Sequence, residues 1–260
     1  MSVKNIVYAY NFRAQDLSHF LMESIMDMRH VGLSEMTFLQ LAPFNGWISA
    51  LSKRDIKANV LVEQNILSRR VLDVAQKDKA SIIIVHLDKR RPLGVRRSIV
   101  RNLIAKSSIP LLFINNHGQG QMAIKKRLFE NVVIAYNWSD TAHNALNFLL
   151  LFEKMINALE IVKVSNAKLT VREIRELKEN LAKTRKMCLE RGIDAESHIY
   201  AGKPSEEIMT AARDYKASLI VLGNNAKRKF SETIFVKNPS YAIATRAPVP
   251  VLVIPSPATI

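Results

Sequence analysis

The stretch of the chain whose residue types best suit ligand binding follows an apolar run at residues 217–222. This run, Ala-Ser-Leu-Ile-Val-Leu, stops at Gly223, and the polar, basic sequence Asn-Asn-Ala-Lys-Arg-Lys follows at residues 224–229. Basic side chains attract anionic groups such as phosphates. The loop after Leu222 is therefore where we expect a small ligand to bind.

Residue types that often catalyse reactions occur here in patterns that favour structural roles. His86 ends an apolar run and could contact a ligand in a cleft of the first half, although we favour a histidine simply hydrogen-bonded at a strand end. We expect His143 at the surface and Cys188 packed or half-exposed on a helix. There is no His and Cys spacing typical of a metal site, no Gly-x-Ser-x-Gly elbow and no pair of carboxylates at strand ends. We predict neither an enzyme nor a metal site, and leave only a weak ATPase activity open.

Positive charge dominates the composition. The chain has 38 Lys and Arg against 23 Asp and Glu, a net charge of +15. In the densest cluster Arg90 and Arg91 lie in a predicted loop, and Arg97 and Arg101 share one face of a predicted helix at i, i+4. This candidate anion patch favours nucleic acid or an anionic lipid surface as partner, although no aromatic residues are interleaved for stacking on bases. The alternative is a solvated surface without a partner.

The apolar runs define the elements that must position these residues. A run of six apolar residues with β-branched members predicts a strand buried on both faces of a parallel sheet. The run at 217–222, a helix at 239–246 and a second run at 249–254 form a β-α-β unit. Ligands of open α/β sheets bind outside the carboxyl ends of the strands. The loop after Leu222 lies at such an end.

The chain repeats itself. Three pairs of matching segments occur in the same order, at residues 6–11 and 132–137, 79–85 and 216–222, and 109–114 and 249–254. This pattern indicates an internal duplication. We therefore predict an α/β fold with two tandem, doubly wound, Rossmann-like parallel-sheet domains. The predicted domains span residues 1–116 and 127–260, with a linker at 117–126.

Helix signals accompany the strands. The first helix is predicted at residues 13–30, with an apolar stripe formed by Phe12, Phe20, Leu21, Ile25 and Met28. A further helix is predicted at 95–107. Helix starts are indicated by the capping residues Ser139 or Asn137, by Thr170, and by Pro204 in a first turn.

The sequence also bears on location. No apolar run approaches the roughly 18 residues that span a bilayer, and the N-terminus lacks the shape of a signal peptide. A single cysteine, Cys188, leaves no internal disulfide. We expect a reducing, cytoplasmic setting.

Each half of the chain resembles a universal stress protein domain, and the whole resembles the tandem type with two such domains. The resemblance covers residues 4–115 and 131–255, and its most specific pieces are residues 217–223 and 246–254. It implies an adenine-nucleotide alpha hydrolase-like fold and a regulatory role in the stress response. It further implies an unidentified protein partner, a possible homodimer, and pairing of fifth strands, which the two halves could achieve within one chain.

Nucleotide-binding members of that family carry an aspartate after the first strand and a loop of the form Gly-x2-Gly-x9-Gly-Ser/Thr after the fourth. This chain departs from the pattern, because the aspartate position is an asparagine in both halves and Gly223 alone remains of the loop glycines. The resemblance thus implies degenerate sites, with ATP or ADP possible in the second half. The candidate nucleotide-binding residues are Ala135, Asn137, Gly223, Asn224, Ala226, Lys237 and Asn238. The weaker candidates for the first-half cleft are Asn11 and His86.

Three functions remain open at this point. The first is a stress-response module with degenerate nucleotide sites that works through protein contacts. The second is a nucleotide-binding protein that uses the second-half cleft. The third is a basic, anion-binding module for nucleic acid or a membrane surface, related to the regulatory domains of cation/proton transporters.

Overall fold

A computed structural model describes seven segments of the chain, at residues 2–10, 19–41, 47–87, 92–115, 126–165, 169–224 and 238–256. In this part of the chain, ten strands form one sheet. The first-half strands are β1 (Asn5–Tyr10), β2 (Glu35–Gln40), β3 (Lys57–Val62), β4 (Ile82–Leu87) and β5 (Leu111–Asn115). The second-half strands are β6 (Asn131–Ala135), β7 (Ala158–Ser165), β8 (Asp194–Ala201), β9 (Leu219–Asn224) and β10 (Val251–Pro255).

Helices connect the strands in both halves. In the first half they are α1 (His19–Asp27), α2 (Ile48–Ser52), α3 (Ser68–Lys77) and α4 (Leu93–Lys106). In the second half they are α5 (Asp140–Leu149), α6 (Val171–Glu190), α7 (Pro204–Asp214) and α8 (Pro239–Arg246). Short 3₁₀ helices at Met28–Val31 and Leu150–Met155 extend α1 and α5. No helix in the described segments is long and apolar enough to cross a membrane.

The strand order is β3-β2-β1-β4-β5-β10-β9-β6-β7-β8. Read outward from the centre, each half has the same order of its fifth, fourth, first, second and third strands, so the duplication seen in the sequence is also present in the topology. Neighbouring strands are parallel except β5 and β10, which pair antiparallel. The predicted doubly wound parallel α/β fold is confirmed, and the fifth strands pair within one chain. The domain limits at residues 116 and 127 stay a prediction.

The antiparallel junction fixes the directions of the two halves. Because β5 and β10 run in opposite directions, the carboxyl ends of the first-half strands and those of the second-half strands lie at opposite ends of the sheet. A hydrogen bond agrees with this, since the Asn224 side chain at the end of β9 donates to the carbonyl of Ile104 near the end of α4 (3.5 Å). Asn115, at the end of β5, donates to the carbonyls of Ala244 (3.1 Å) and Ala247 (3.2 Å) beside α8.

Two apolar layers cover the sheet, and both run across the junction. One layer packs α1, α2, α5 and α6 against one face, and the other packs α3, α4, α7 and α8 against the opposite face. β4 is buried along its whole length, and five of the six residues of β9 are buried. This is the burial that uninterrupted apolar runs predict for central strands of a parallel sheet.

The helix predictions hold with shifted boundaries. From residue 19 onward the prediction at 13–30 corresponds to α1 and its 3₁₀ extension, which Gly32 follows in the left-handed conformation (φ 107°), while residues 13–18 lie outside the described residues. Leu21, Ile25 and Met28 are buried as expected, but the placement of Phe20 in the stripe is wrong, because this side chain is 43% exposed. Phe12 lies outside the described residues.

Helix starts in the second half follow the capping signals. The Ser139 side chain accepts a hydrogen bond from the Ala142 N–H and caps α5. Thr170 and Glu173 form a reciprocal capping box at the start of α6. Pro204 opens α7.

Candidate functional site

A cleft of about 670 Å³ opens at the carboxyl ends of β6, β7 and β9. Ala135, Val162 and Leu222 contribute apolar surface from the strand ends, and the first residues of α5, α7 and α8 close the sides. The cleft lies where β6 is flanked by β9 and β7, which is the point at which the strand order reverses. Open α/β sheets bind ligands at such a switch point.

Gly223 allows the cleft to form. A Cβ atom at this position would lie 2.4 Å from the carbonyl oxygen of Thr141 and 2.8 Å from the backbone nitrogen of Ala142. Real Cβ contacts are never so short, so only glycine lets the first turn of α5 approach the end of β9.

The turn between β6 and α5 is held by its own side chains. Asn137 Oδ1 accepts hydrogen bonds from the Ser139 N–H (3.2 Å) and the Ser139 hydroxyl (2.7 Å). Trp138 between them adopts a positive φ of 57°. The family's aspartate position is thus filled by an exposed asparagine that organises the turn and borders the cleft.

Asn224 and Asn238 join the end of β9 to the start of α8. Asn238 Oδ1 accepts from the N–H groups of Ser240 (2.9 Å) and Tyr241 (3.4 Å), which makes it the N-cap of α8. Its amide donates to Asn224 Oδ1 (3.1 Å), and the Ser240 hydroxyl donates to the Gly223 carbonyl (3.3 Å). The residues that flank the segment at 225–237 are therefore fixed relative to each other.

Lys163, on β7, is a cleft residue that the sequence reasoning missed. Burial lowers its pKa below the usual lysine value. Its ammonium lies 5.7 Å from the centre of the Trp138 ring, within cation–π range. A lysine inside an apolar strand, in the sequence Ile-Val-Lys-Val at residues 161–164, was the available signal.

The three helix starts differ in charge. α5 carries Asp140 in its first turn and α7 carries Glu206 and Glu207, whereas the first turn of α8 has no acidic residue. Helix N-termini favour anions, and acidic side chains there oppose them. The start of α8 is therefore the most favourable of the three for an anionic group.

The equivalent position in the first half is occupied by larger side chains. His86 stands in β4 where Gly223 stands in β9, and it is 1% exposed, with Nδ1 3.4 Å from the Tyr8 hydroxyl. Tyr10 donates a hydrogen bond to Gln40 Oε1, and both side chains are buried. Burial raises the pKa of Tyr8, and it raises the pKa of Tyr10 to about 12. This placement agrees with a hydrogen-bonded histidine at a strand end.

The predicted site residues are thus partly brought together. The cleft joins five of the candidates, which are Ala135, Asn137, Gly223, Asn224 and Asn238. Ala226, Lys237 and Asn11 lie outside the described residues. Of the anion patch, Arg97 is exposed and Arg101 half-buried, both on α4 and away from the cleft, while Arg90 and Arg91 also lie outside the described residues.

The remaining candidates have structural surroundings. His143 is exposed, with Nδ1 2.6 Å from the Tyr136 hydroxyl. Cys188 is buried, and burial raises the pKa of its thiol to about 11. Within the described segments, no group of three His, Cys, Asp or Glu side chains is arranged to hold a metal ion.

Comparison with known proteins finds one family model and one curated relative that match about half of the chain. A family model described as the universal stress protein family matches residues 128–255. The curated protein named universal stress protein MJ0531, from Methanocaldococcus jannaschii, is 30% identical over 146 residues, which cover 51% of this chain and 85% of that protein.

Solved structures resemble the whole chain. A universal stress protein from Archaeoglobus fulgidus superposes with a TM-score of 0.68 at 19% identity, covering 99% of this chain and 98% of its own. The cytoplasmic domain of a prokaryotic cation chloride cotransporter superposes with a TM-score of 0.53 at 12% identity, covering 96% and 94%. At these identities the likeness concerns the fold.

Proposed function

Because this chain belongs to the universal stress protein family, we propose that it is a stress-related binding protein whose second-half cleft holds a nucleotide such as ATP or ADP. The observation that carries this proposal is the cleft at the ends of β6, β7 and β9. Its volume of about 670 Å³ falls within the range typical of small-molecule sites.

The lining of the cleft offers complementary surfaces for the two parts of a nucleotide. The N-terminal ends of α5 and α8 border the cleft, and the positive end of a helix dipole favours phosphate; in α8 the Ser240 and Tyr241 N–H groups already donate to Asn238 Oδ1. Lys163 adds a positive charge to the cleft. Its pKa is lowered because the ammonium is partly removed from water. A hydrogen bond from this ammonium to a phosphate would be charge-assisted and therefore stronger than one between neutral groups. Val162, Val164 and Leu222 provide apolar surface for a base.

We infer one nucleotide site per chain. In the first half His86, Tyr10 and Gln40 are buried at the strand ends, where the second half has Gly223, Tyr136 and Lys163. A histidine stands in place of the glycine against which the first turn of α5 packs in the second half. The first half then contributes the fold and not a second site.

The proposed activity is binding and not catalysis. Among the described residues that line the cleft there is no Asp, Glu, His or Cys. General acid–base catalysis most often uses one of these side chains within hydrogen-bond reach of the reacting group, and of the other residue types that can serve, the described lining has Tyr136 and Lys163. A regulatory protein of this type acts when a partner protein binds its nucleotide-bound form and its nucleotide-free form differently.

Calorimetric titration of ATP, ADP and AMP into the purified protein tests the proposal. We expect about one equivalent bound. Lys163→Gln, which introduces the residue found at the matching first-half position, should weaken ATP binding by about 10- to 100-fold, the range for a hydrogen bond to a charged group. Lys183→Gln, at an exposed position on α6, is the matched control and should bind as the native protein does. Absence of heat and of thermal stabilisation with all three nucleotides would refute the proposal.

A further inference from the structure

The first turn of α4 exposes apolar side chains at the end of the sheet opposite the cleft. Leu93 is 47% exposed and Val95 is 41% exposed, and Pro92 and Gly94 beside them are also exposed. We call residues 92–97 the α4 tip. We propose that the α4 tip docks on the surface of an anionic lipid membrane.

The charge around the α4 tip fits such a surface. Arg97 is exposed within it, and Arg101 follows one turn later. Lys, Arg and Arg precede it in the sequence at residues 89–91, and no acidic residue occurs between Asp88 and Glu130. Each basic residue near an anionic membrane strengthens binding, so the charges act together.

The exposed aliphatic side chains distinguish lipid from nucleic acid as the partner. Leucine and valine flanked by arginine suit insertion at the boundary between headgroups and acyl chains. Proteins that hold single-stranded nucleic acid stack bases on aromatic side chains, and residues 88–107 contain none. Electrostatic attraction alone would leave no role for Leu93 and Val95.

The position of the α4 tip makes docking geometrically simple. α4 follows β4, so its first turn lies at the carboxyl end of the first-half strands. The cleft lies at the carboxyl end of the second-half strands, which point the opposite way because β5 and β10 are antiparallel. A membrane on the α4 tip would therefore leave the cleft open to solution.

Flotation of the full chain with vesicles tests the proposal. The probes are vesicles of phosphatidylcholine mixed with phosphatidylglycerol, and vesicles of phosphatidylcholine alone. The native protein should float with the first kind and remain behind with the second, and added salt should release it.

Two variants separate the apolar from the electrostatic contribution. Leu93→Ser combined with Val95→Ser should weaken binding by about 25-fold, taking about fivefold for the exposed half of each side chain. Arg97→Gln should weaken it by about fivefold. Val171→Ser and Arg175→Gln, at exposed positions on α6, are the matched controls and should bind as the native protein does. All five positions are exposed, and thermal unfolding checks that each variant is folded.

Three results would overturn the proposal. The first is failure to float with anionic vesicles, and binding of a short RNA oligonucleotide in that case would identify the patch as a nucleic-acid surface. The second is flotation of the double serine variant equal to that of the native protein, which would mean that the apolar side chains of the α4 tip do not contribute and that only general attraction of anions remains. The third is an equal loss of binding in Arg175→Gln and Arg97→Gln, which would mean that the net charge of the whole protein is responsible.

Discussion

The contact of Gly223 with the first turn of α5 leads to a sharp prediction about stability. In Gly223→Ala the new Cβ would lie 2.4 Å from the Thr141 carbonyl oxygen, 2.5 Å from its carbon and 2.8 Å from the Ala142 nitrogen. All three are backbone atoms of a capped helix start, so no side chain can rotate to make room. α5 must move away from β9, and its buried residues move with it.

Overpacking of this kind typically lowers the free energy of unfolding by about 1–3 kcal/mol. Because three backbone contacts are violated at once, we expect about 3 kcal/mol. A stability loss of that size lowers the Tm by roughly 6–12 °C in a chain of this length. Calorimetry and urea denaturation measure the two quantities, and nucleotide affinity should fall with them because α5 borders the cleft.

Gly94→Ala is the matched control. A Cβ at Gly94 would meet nothing within 4 Å, and its backbone is helical. Alanine has the higher helix propensity, so this variant should be unchanged or more stable by up to about 1 kcal/mol. If Gly223→Ala were as stable as the native protein within about 0.5 kcal/mol, the reasoning from close approach would be refuted.

Two further predictions concern buried polar groups. Asn115→Ala removes both hydrogen bonds to the carbonyls of Ala244 and Ala247. It should lower the free energy of unfolding, measured by urea denaturation, by about 1–3 kcal/mol. Asn157→Ala, at an exposed site, is the control and should have little effect in the same measurement. The thiol of Cys188 has a pKa raised by burial from 9.0 to about 11, so the unfolded chain loses this proton first and stability should decline between about pH 9 and pH 11. Cys188→Ser should remove that part of the decline in denaturation measured across this range, and an undiminished decline would contradict the assignment.

The regular features of the fold could be predicted from the sequence because they depend on local patterns. An uninterrupted apolar run such as residues 217–222 keeps its side chains out of water only if the strand is buried on both faces. This pattern predicted a parallel sheet. The three repeated segments then predicted an internal duplication with two tandem domains. Capping residues such as Thr170 marked helix starts within a residue or two, because they satisfy backbone groups a few positions away.

The site was harder to predict from the sequence, because it depends on which strands are neighbours and on the register and direction in which they pair. Lys163 borders the cleft only because β7 lies beside β6 with Tyr136 next to it, and such a pairing is not encoded in the local pattern of either strand. Phe20 was placed in the buried stripe because helical spacing does not say how wide the buried face is. The start of α4 at Leu93, two residues before the predicted one, was decisive for the α4 tip.

The two halves differ at more than one residue where a strand end is filled in the first half and open in the second. Gly223 allows α5 to begin five residues after β6 ends, with its first turn against β9. In the first half the matching residue is His86, whose imidazole lies beside Tyr8 in the core. Reversing this exchange with His86→Gly would leave a buried cavity beside Tyr8, because the surrounding side chains are packed around the ring. A cleft therefore cannot be restored by that single substitution, and the two halves have diverged through coupled changes that include Gln40 and Lys163.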